Sequence, residues 1–189
     1  MEDFLFKKTS RQEFRRRFQP SRIAICVVPE RSNSKVNLIT LSFNMHCSYR
    51  PPMMAFSINR RALSYELLNK TEHSVLSVPG ERLADTALFC GTHSGRDVDK
   101  VKACDLSLIN SETICIPGIS QAIANIELKI VARVPTGDHM TLFGRVLKFG
   151  VNKENKERCL VSVGPDYSGY ELLATKGIHR IAVASRETL

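Results

Sequence analysis

The chain has 189 residues, 43% of them hydrophobic and 24% charged, with 27 Lys and Arg against 19 Asp and Glu for a net charge of +8. Such totals suit one soluble globular domain, 1–189, and exclude a disordered or collagen-like chain. Six cysteines at 26, 47, 90, 104, 115 and 159 form no C-x-x-C and have no close His pair, so neither a zinc site nor a disulfide framework is signalled and no metal is expected.

The opening "MEDFLFKK" has only a broken apolar patch, and no segment reaches the ~18 apolar residues of a membrane span, so the expectation is a cytoplasmic protein without membrane attachment. In "SRQEFRRRFQPS" Phe14 and Phe18 lie four apart, as on one face of a short helix. Packing through these rings with Arg11, Arg15, Arg16 and Arg17 outward is simpler than a nucleic-acid contact. The basic surplus suits anionic small molecules such as phosphate-bearing cofactors.

Strand signals outnumber helix signals. Residues 22–28, "RIAICVV", and 36–44, "VNLITLSFN", flank a Glu-Arg-Ser-Asn-Ser turn and read as a hairpin. Residues 53–58 follow Pro51-Pro52, and 74–78 form another short candidate. In "IELKIVARV" Ile126, Leu128, Ile130, Ala132 and Val134 share one face, with Glu127, Lys129 and Arg133 on the other. A Pro-Thr-Gly-Asp turn leads into "HMTLFGRVLKFGV", and 159–164 offers a last strand. Ser64 reads as the N-cap of "YELLNKT", while "ERLADTALFC" puts Leu83, Ala84, Ala87 and Leu88 on one side of a helix. These elements predict a mainly β fold, a small antiparallel Greek-key barrel of about six strands with a few short helices.

Polar clusters interrupt these strands: Asn37, Thr40, Ser42 and Asn44; then Ser57 and Asn59 with Arg60, Arg61 and Ser64; then "CGTHSGRDVDK" at 90–100. The last matches neither the G-x-S-x-G of a serine hydrolase nor the G-x-x-x-x-G-K-[ST] of a P-loop. Two readings stay open for it: an anion site with a helix beginning near Asp97, or a polar loop ended by an Asp cap. A buried, unpaired hydroxyl costs about 1 to 3 kcal/mol, so these groups must face water, pair internally or meet a ligand. Flavin mononucleotide suits them, with its polar ring edge, polyol chain and phosphate, the last fitting Arg60 or Arg61 and Ser64.

"NLITLSFNMHCSYRPPMMAFSI", "CGTHSGRDVDK" and "TGDHMTLFGRVL", in this order, resemble the flavin reductase-like family of FMN-binding split barrels, which includes flavoredoxins, over about residues 18–151. The resemblance implies a six-stranded Greek-key split barrel, a C-terminal extension at 152–189, and a homodimer with flavin near the subunit interface. It also implies FMN, with FAD as the alternative, in contact with Asn37, Thr40, Leu41, Ser42, Phe43 and Asn44, with Ser57, Asn59 and Ser64, and with Ser94, Gly95, Arg96, Asp97 and Lys100. His139 would serve the nicotinamide of NADH or NADPH, in an NAD(P)H-dependent flavin reductase that supplies a monooxygenase or another electron acceptor. One departure falls at the phosphate end, where many relatives carry a cation followed by Tyr-Thr and this chain has Ala62, Leu63 and Ser64; Arg61 or Arg60 then supplies the charge from a shifted position. Tyr167 and Tyr170 in the tail are candidates for stacking on the ring or for surface packing.

Overall fold

A computed structural model describes residues 10, 14, 18, 20–30 and 35–162, and the backbone of Leu173–Lys176 and Ile181–Ala184. The turn at 31–34, Arg11, Arg15 to Arg17, Tyr167 and Tyr170 lie outside the described residues. Two compact units result, one of 22–160 and one of 1–21 with 161–189. In the second, the Phe14 amide bonds Ser10 O and the Phe18 amide bonds Phe14 O, the four-residue spacing of a helical turn. The two rings lie 5.3 Å apart and stay exposed. Leu173–Lys176 and Ile181–Ala184 pair antiparallel in the same unit.

The 22–160 unit is built on seven antiparallel strands, one more than expected. They are β1 Ala24–Pro29, β2 Val36–Leu41, β3 Asn44–Tyr49, β4 Pro52–Asn59, β5 His73–Val78, β6 Ala124–Thr136 and β7 His139–Val151. The extra strand arises because 36–44 does not run through: the chain bends at Ser42-Phe43 and starts β3 at Asn44. Of the expected strand at 159–164, Val161–Ser162 is extended. Strand order across the sheet is β2-β1-β5-β6-β7-β4-β3. Its two edges, β2 and β3, are thus consecutive in the chain and joined by two residues, so the sheet must curl until its edges meet. The Ser57 amide of β4 donates to Phe43 O at 2.9 Å beside that seam. The sheet thus curls into a barrel that stays split along this seam, where no ladder joins β2 to β3.

Its interior holds Cys26, Val28, Phe56, Ile58, Leu76, Leu128 and Leu142, each 1% exposed or less. In β6 the expected alternation holds at Leu128 and Ile130, but Ala132 and Val134 are exposed because the β6–β7 hairpin runs on past the core. Gly144 of β7 lies so close to β6 that a Cβ there would stand 3.1 Å from Leu128 Cδ1. At the hairpin tip Gly137 takes a positive φ of 64°, the left-handed conformation that glycine enters freely.

Helices fill the connections. The first, α1, is Leu63–Leu68, and Ser64 is not its cap: Ala62 precedes the helix without a side-chain bond and Ser64 lies within the first turn, 1% exposed. A 3-10 turn, Glu81–Leu83, leads into α2, Ala84–Thr92. Leu83, Thr86, Ala87 and Cys90 are its buried face, while Leu88 points outward at 54% exposed. The helix expected near Asp97 starts later: α3 is Lys100–Ala103, capped by Asp99, whose Oδ1 accepts from the Lys102 amide at 3.2 Å.

Glu127, expected on the polar face of β6, is instead 5% exposed. The loop at 111–116 covers it and supplies its partners: the amides of Glu112 and Thr113, each at 2.8 Å, and the Thr113 hydroxyl. Burial alone pushes the carboxyl up, but these bonds and the Lys148 charge outweigh it and hold it below the usual glutamate range. A depressed folded-state value means stability that is full above the unfolded value, near pH ~4.3, and is lost as pH falls through the folded one. Glu127→Gln is therefore expected to lower stability at neutral pH by about 1 to 3 kcal/mol and to flatten the acid limb, both read from urea melts across pH.

Candidate functional site

β4 and β7 run antiparallel with His139 opposite Asn59 and Thr141 opposite Ser57. Two runs distant in sequence, "SIN" and "HMT", are thereby neighbours at one end of the barrel. The hydroxyls of Ser57 and Thr141 bond at 2.7 Å, and Thr136 extends the chain to Thr141 at 3.0 Å. The Phe43 ring, 57% exposed at the seam, lies 5.5 Å from the His139 ring. Ser42 beside it is half-buried.

Where β4 ends, Asn59, Arg60, Arg61, Gly137 and Asp138 line an open depression of about 350 Å³. Asn59 Oδ1 accepts from the Arg61 amide at 2.9 Å, and the Arg60 amide donates to Asp138 O at 3.2 Å, so this turn is tied to the hairpin tip. Among the described residues, neither the Arg60 nor the Arg61 guanidinium is in an ion pair, whereas Arg96 pairs with Glu66. His139 Nδ1 stands 2.7 Å from Asp138 Oδ1. An ionised carboxylate only accepts, so Nδ1 carries the hydrogen and a neutral ring offers Nε2 as an acceptor.

A second group lies between β2, α1 and the Ser94-Gly95-Arg96-Asp97 turn. Asn37, 4% exposed, donates from Nδ2 to Ser64 Oγ at 2.6 Å. Gly95 packs on the same amide; a Cβ there would fall 2.0 Å from Asn37 Oδ1, which no side chain tolerates. Ser94 Oγ accepts from the Arg96 amide at 3.2 Å, and Arg96 reaches Arg61 O at 3.4 Å as well as Glu66. Asp97 is exposed.

Several expected contact residues serve the scaffold. Lys100 is 5% exposed, and its ammonium donates to Leu38 O at 2.7 Å and Cys90 O at 2.9 Å, joining β2 to α2 rather than standing in solvent as a free cation. Burial holds its pKa below the usual lysine value. Thr40 bonds Ala87 O at 2.6 Å, Leu41 is in the core, and Asn44 Nδ2 donates to Leu41 O at 3.0 Å and Arg22 O at 3.1 Å, fixing the bend at the seam. Thr141 and Gly137 were missed as site residues in the sequence. Thr141 stands two residues after His139, on the same side of the pleat, and that period is the signal that points to it.

The comparisons with known proteins agree with this architecture. The family described as "Flavin reductase like domain" matches residues 15–171. A protein of Archaeoglobus fulgidus without an assigned function is 28% identical over 60% of this chain, which spans 64% of that relative's length. Among solved structures, an FMN-binding protein of Thermus thermophilus with bound p-hydroxybenzaldehyde superposes with a TM-score of 0.74 at 23% identity, covering 90% of this chain and 95% of that one. An NADH:FAD oxidoreductase of Streptomyces globisporus gives 0.72 at 20% identity, covering 87% and 96%. The curled antiparallel barrel is the fold these proteins share, and the sequence match over most of its length assigns the chain to the flavin reductase like family.

Proposed function

We propose that the protein is an NAD(P)H-dependent flavin reductase that uses FMN, and that the groove beside the β4–β7 pair is where the cofactor binds. The observation that carries this reading is the pair of guanidinium groups, Arg60 and Arg61, in no ion pair among the described residues and next to the Asn59–His139 register pair. The residues present fit the group. Arg60 and Arg61 offer charge to a phosphate, Ser57, Thr136 and Thr141 offer hydroxyls to a polyol, and Ser42-Phe43 offers bend backbone to a ring edge.

FMN bound there would accept a hydride from NADH or NADPH, and its electrons would pass to a monooxygenase or another acceptor. His139, oriented by Asp138, presents Nε2 to hold the carboxamide of the donor ring. Phe43, 5.5 Å from the His139 ring, would shield the donor ring from water on the seam side. Asn37, Ser64, Gly95 and Arg96 act through position: they hold α1 and the turn at 94–97 against β2, and so hold the Arg61 backbone in place. Self-association into a homodimer is supported by exposed apolar residues at both ends of the β6–β7 hairpin, Val131 and Val134 toward its tip and Phe149 and Val151 at its base. No helix among the described residues is long and apolar enough to cross a membrane.

The reading is tested by anaerobic mixing of the purified protein with FMN and each nicotinamide. Bleaching of oxidised flavin faster than without protein supports it; a protein that takes up no flavin in a calorimeter refutes it. Replacing both arginines, Arg60→Ala with Arg61→Ala, removes charge-assisted bonds of about 1.5 to 3 kcal/mol each, so FMN affinity is expected to fall at least tenfold or so in calorimetric titration. His139→Ala is expected to slow reduction on the order of tenfold while FMN affinity changes far less, a split read by stopped-flow absorbance.

A further inference from the structure

α2 ends just beyond Cys90 and α3 ends against Cys104, so the segment at 91–103 leaves one thiol and returns to another. Burial first, and then the neighbouring Cys104 side chain, push the Cys90 thiol pKa up. Lys100 bridges the two residues. Lys100 Nζ bonds Cys90 O at 2.9 Å, the Cys104 amide bonds Lys100 O at 3.1 Å, and Lys100 and Cys104, four residues apart, occupy one side of the same helical turn. Cys26 lies in the core, and Cys47, Cys115 and Cys159 are exposed. The segment between the two thiols carries the Ser94-Gly95-Arg96-Asp97 turn that seats on Asn37.

We propose that Cys90 and Cys104 form a redox-modification site, oxidised by a peroxide to a reversible disulfide that locks the 91–103 segment against β2. Cys104, half-buried, is the thiol a small oxidant reaches. Its sulfur loses a proton to solvent and attacks one peroxide oxygen; the O–O bond breaks, the departing oxygen leaves as water, and Cys104 becomes a sulfenic acid. Cys90 is 1% exposed, and burial pushes its thiol up to about 12, so it survives as a thiol to complete the second step. Its sulfur attacks Cys104 sulfur, the S–O bond breaks, and hydroxide leaves with the Cys90 proton as water. Two thiols have then lost two protons and two electrons, and the peroxide has become two waters. The Lys100 charge offsets only part of that rise at Cys90.

Nothing in this step requires the flavin reading. The folded full-length protein is treated with hydrogen peroxide, alkylated and mapped by mass spectrometry, with a thermal melt before and after. The expected result is a Cys90–Cys104 cross-linked peptide and a higher melting midpoint, both reversed by dithiothreitol. Cys104→Ser is expected to lose the cross-link and the midpoint shift together, and Cys90→Ser to leave a sulfenic acid at residue 104 that dimedone traps. Since Cys90 is buried, Cys104→Ser decides the matter if Cys90→Ser fails to fold. Cys104 driven to sulfinic acid with Cys90 still alkylatable, a link between other cysteines, or a Cys90–Cys104 link without a midpoint change would each overturn the proposal.

Discussion

The link of two residues between β2 and β3 is the constraint on which the remaining structure depends. These strands occupy opposite edges of a seven-stranded sheet, yet only Ser42 and Phe43 separate them in the chain. Extended backbone covers at most about 3.6 Å per residue, so the edges cannot stand a sheet's width apart. The sheet curls, and the curl creates the interior that Phe56, Ile58, Leu76, Leu128 and Leu142 fill. The seam places Phe43 beside His139, so the same constraint that makes the core also makes the mouth of the candidate site.

Buried polar groups then tie the helices to the barrel. Asn37 to Ser64, Thr40 to Ala87 O, and Lys100 to Leu38 O and Cys90 O are three separate ties that all begin on β2 or end on it. Each joins residues far apart in the chain, and each would leave a desolvated donor behind if its partner were removed, which costs more than the bond itself contributes. Such bonds contribute little net stability and much specificity of arrangement. Only one placement of α1, α2 and the turn at 94–97 satisfies all of them, and Gly95 is small enough to permit it.

The regular part of this fold was legible because it rests on local period. Strict alternation marked Leu128 and Ile130 as core, and the Pro-Thr-Gly-Asp turn marked the β6–β7 hairpin, which begins its return strand at His139 as expected. What misled was polar chemistry. Ser64 looks like a cap because a cap is a local feature, while its actual partner, Asn37, lies 27 positions away. Lys100 looks like a free charge for the same reason. Glu127 looks solvated on a two-faced strand, and nothing nearby in sequence says that the loop at 111–116 folds over it. Leu88 shows the converse: its place on the helix is right for burial, but α2 turns Thr86 and Cys90 inward instead. Seven strands rather than six follow from the bend at Ser42-Phe43, where an apolar, β-branched run gives no sign of breaking.

The division of labour among the polar residues bears on the departure from the family pattern that the resemblance implies at Ala62, Leu63 and Ser64. On a strand the pleat dictates which way a side chain points, so a cation lost at one position cannot be replaced from the next. Arg60 and Arg61 are not on a strand. They occupy the turn that leaves β4, where alternation no longer applies, and that turn is held by Asn59 Oδ1 on one side and Asp138 O on the other. A turn pinned by its backbone leaves its side chains free to swing. Two long, flexible guanidinium groups there can cover the ground that one cation beside Ser64 covers from the helix, at the cost of more side-chain entropy when they close on an anion. On the proposed reading, the consequence would be weaker, faster exchange of the phosphate-bearing ligand, which suits a flavin that comes and goes better than one that is kept.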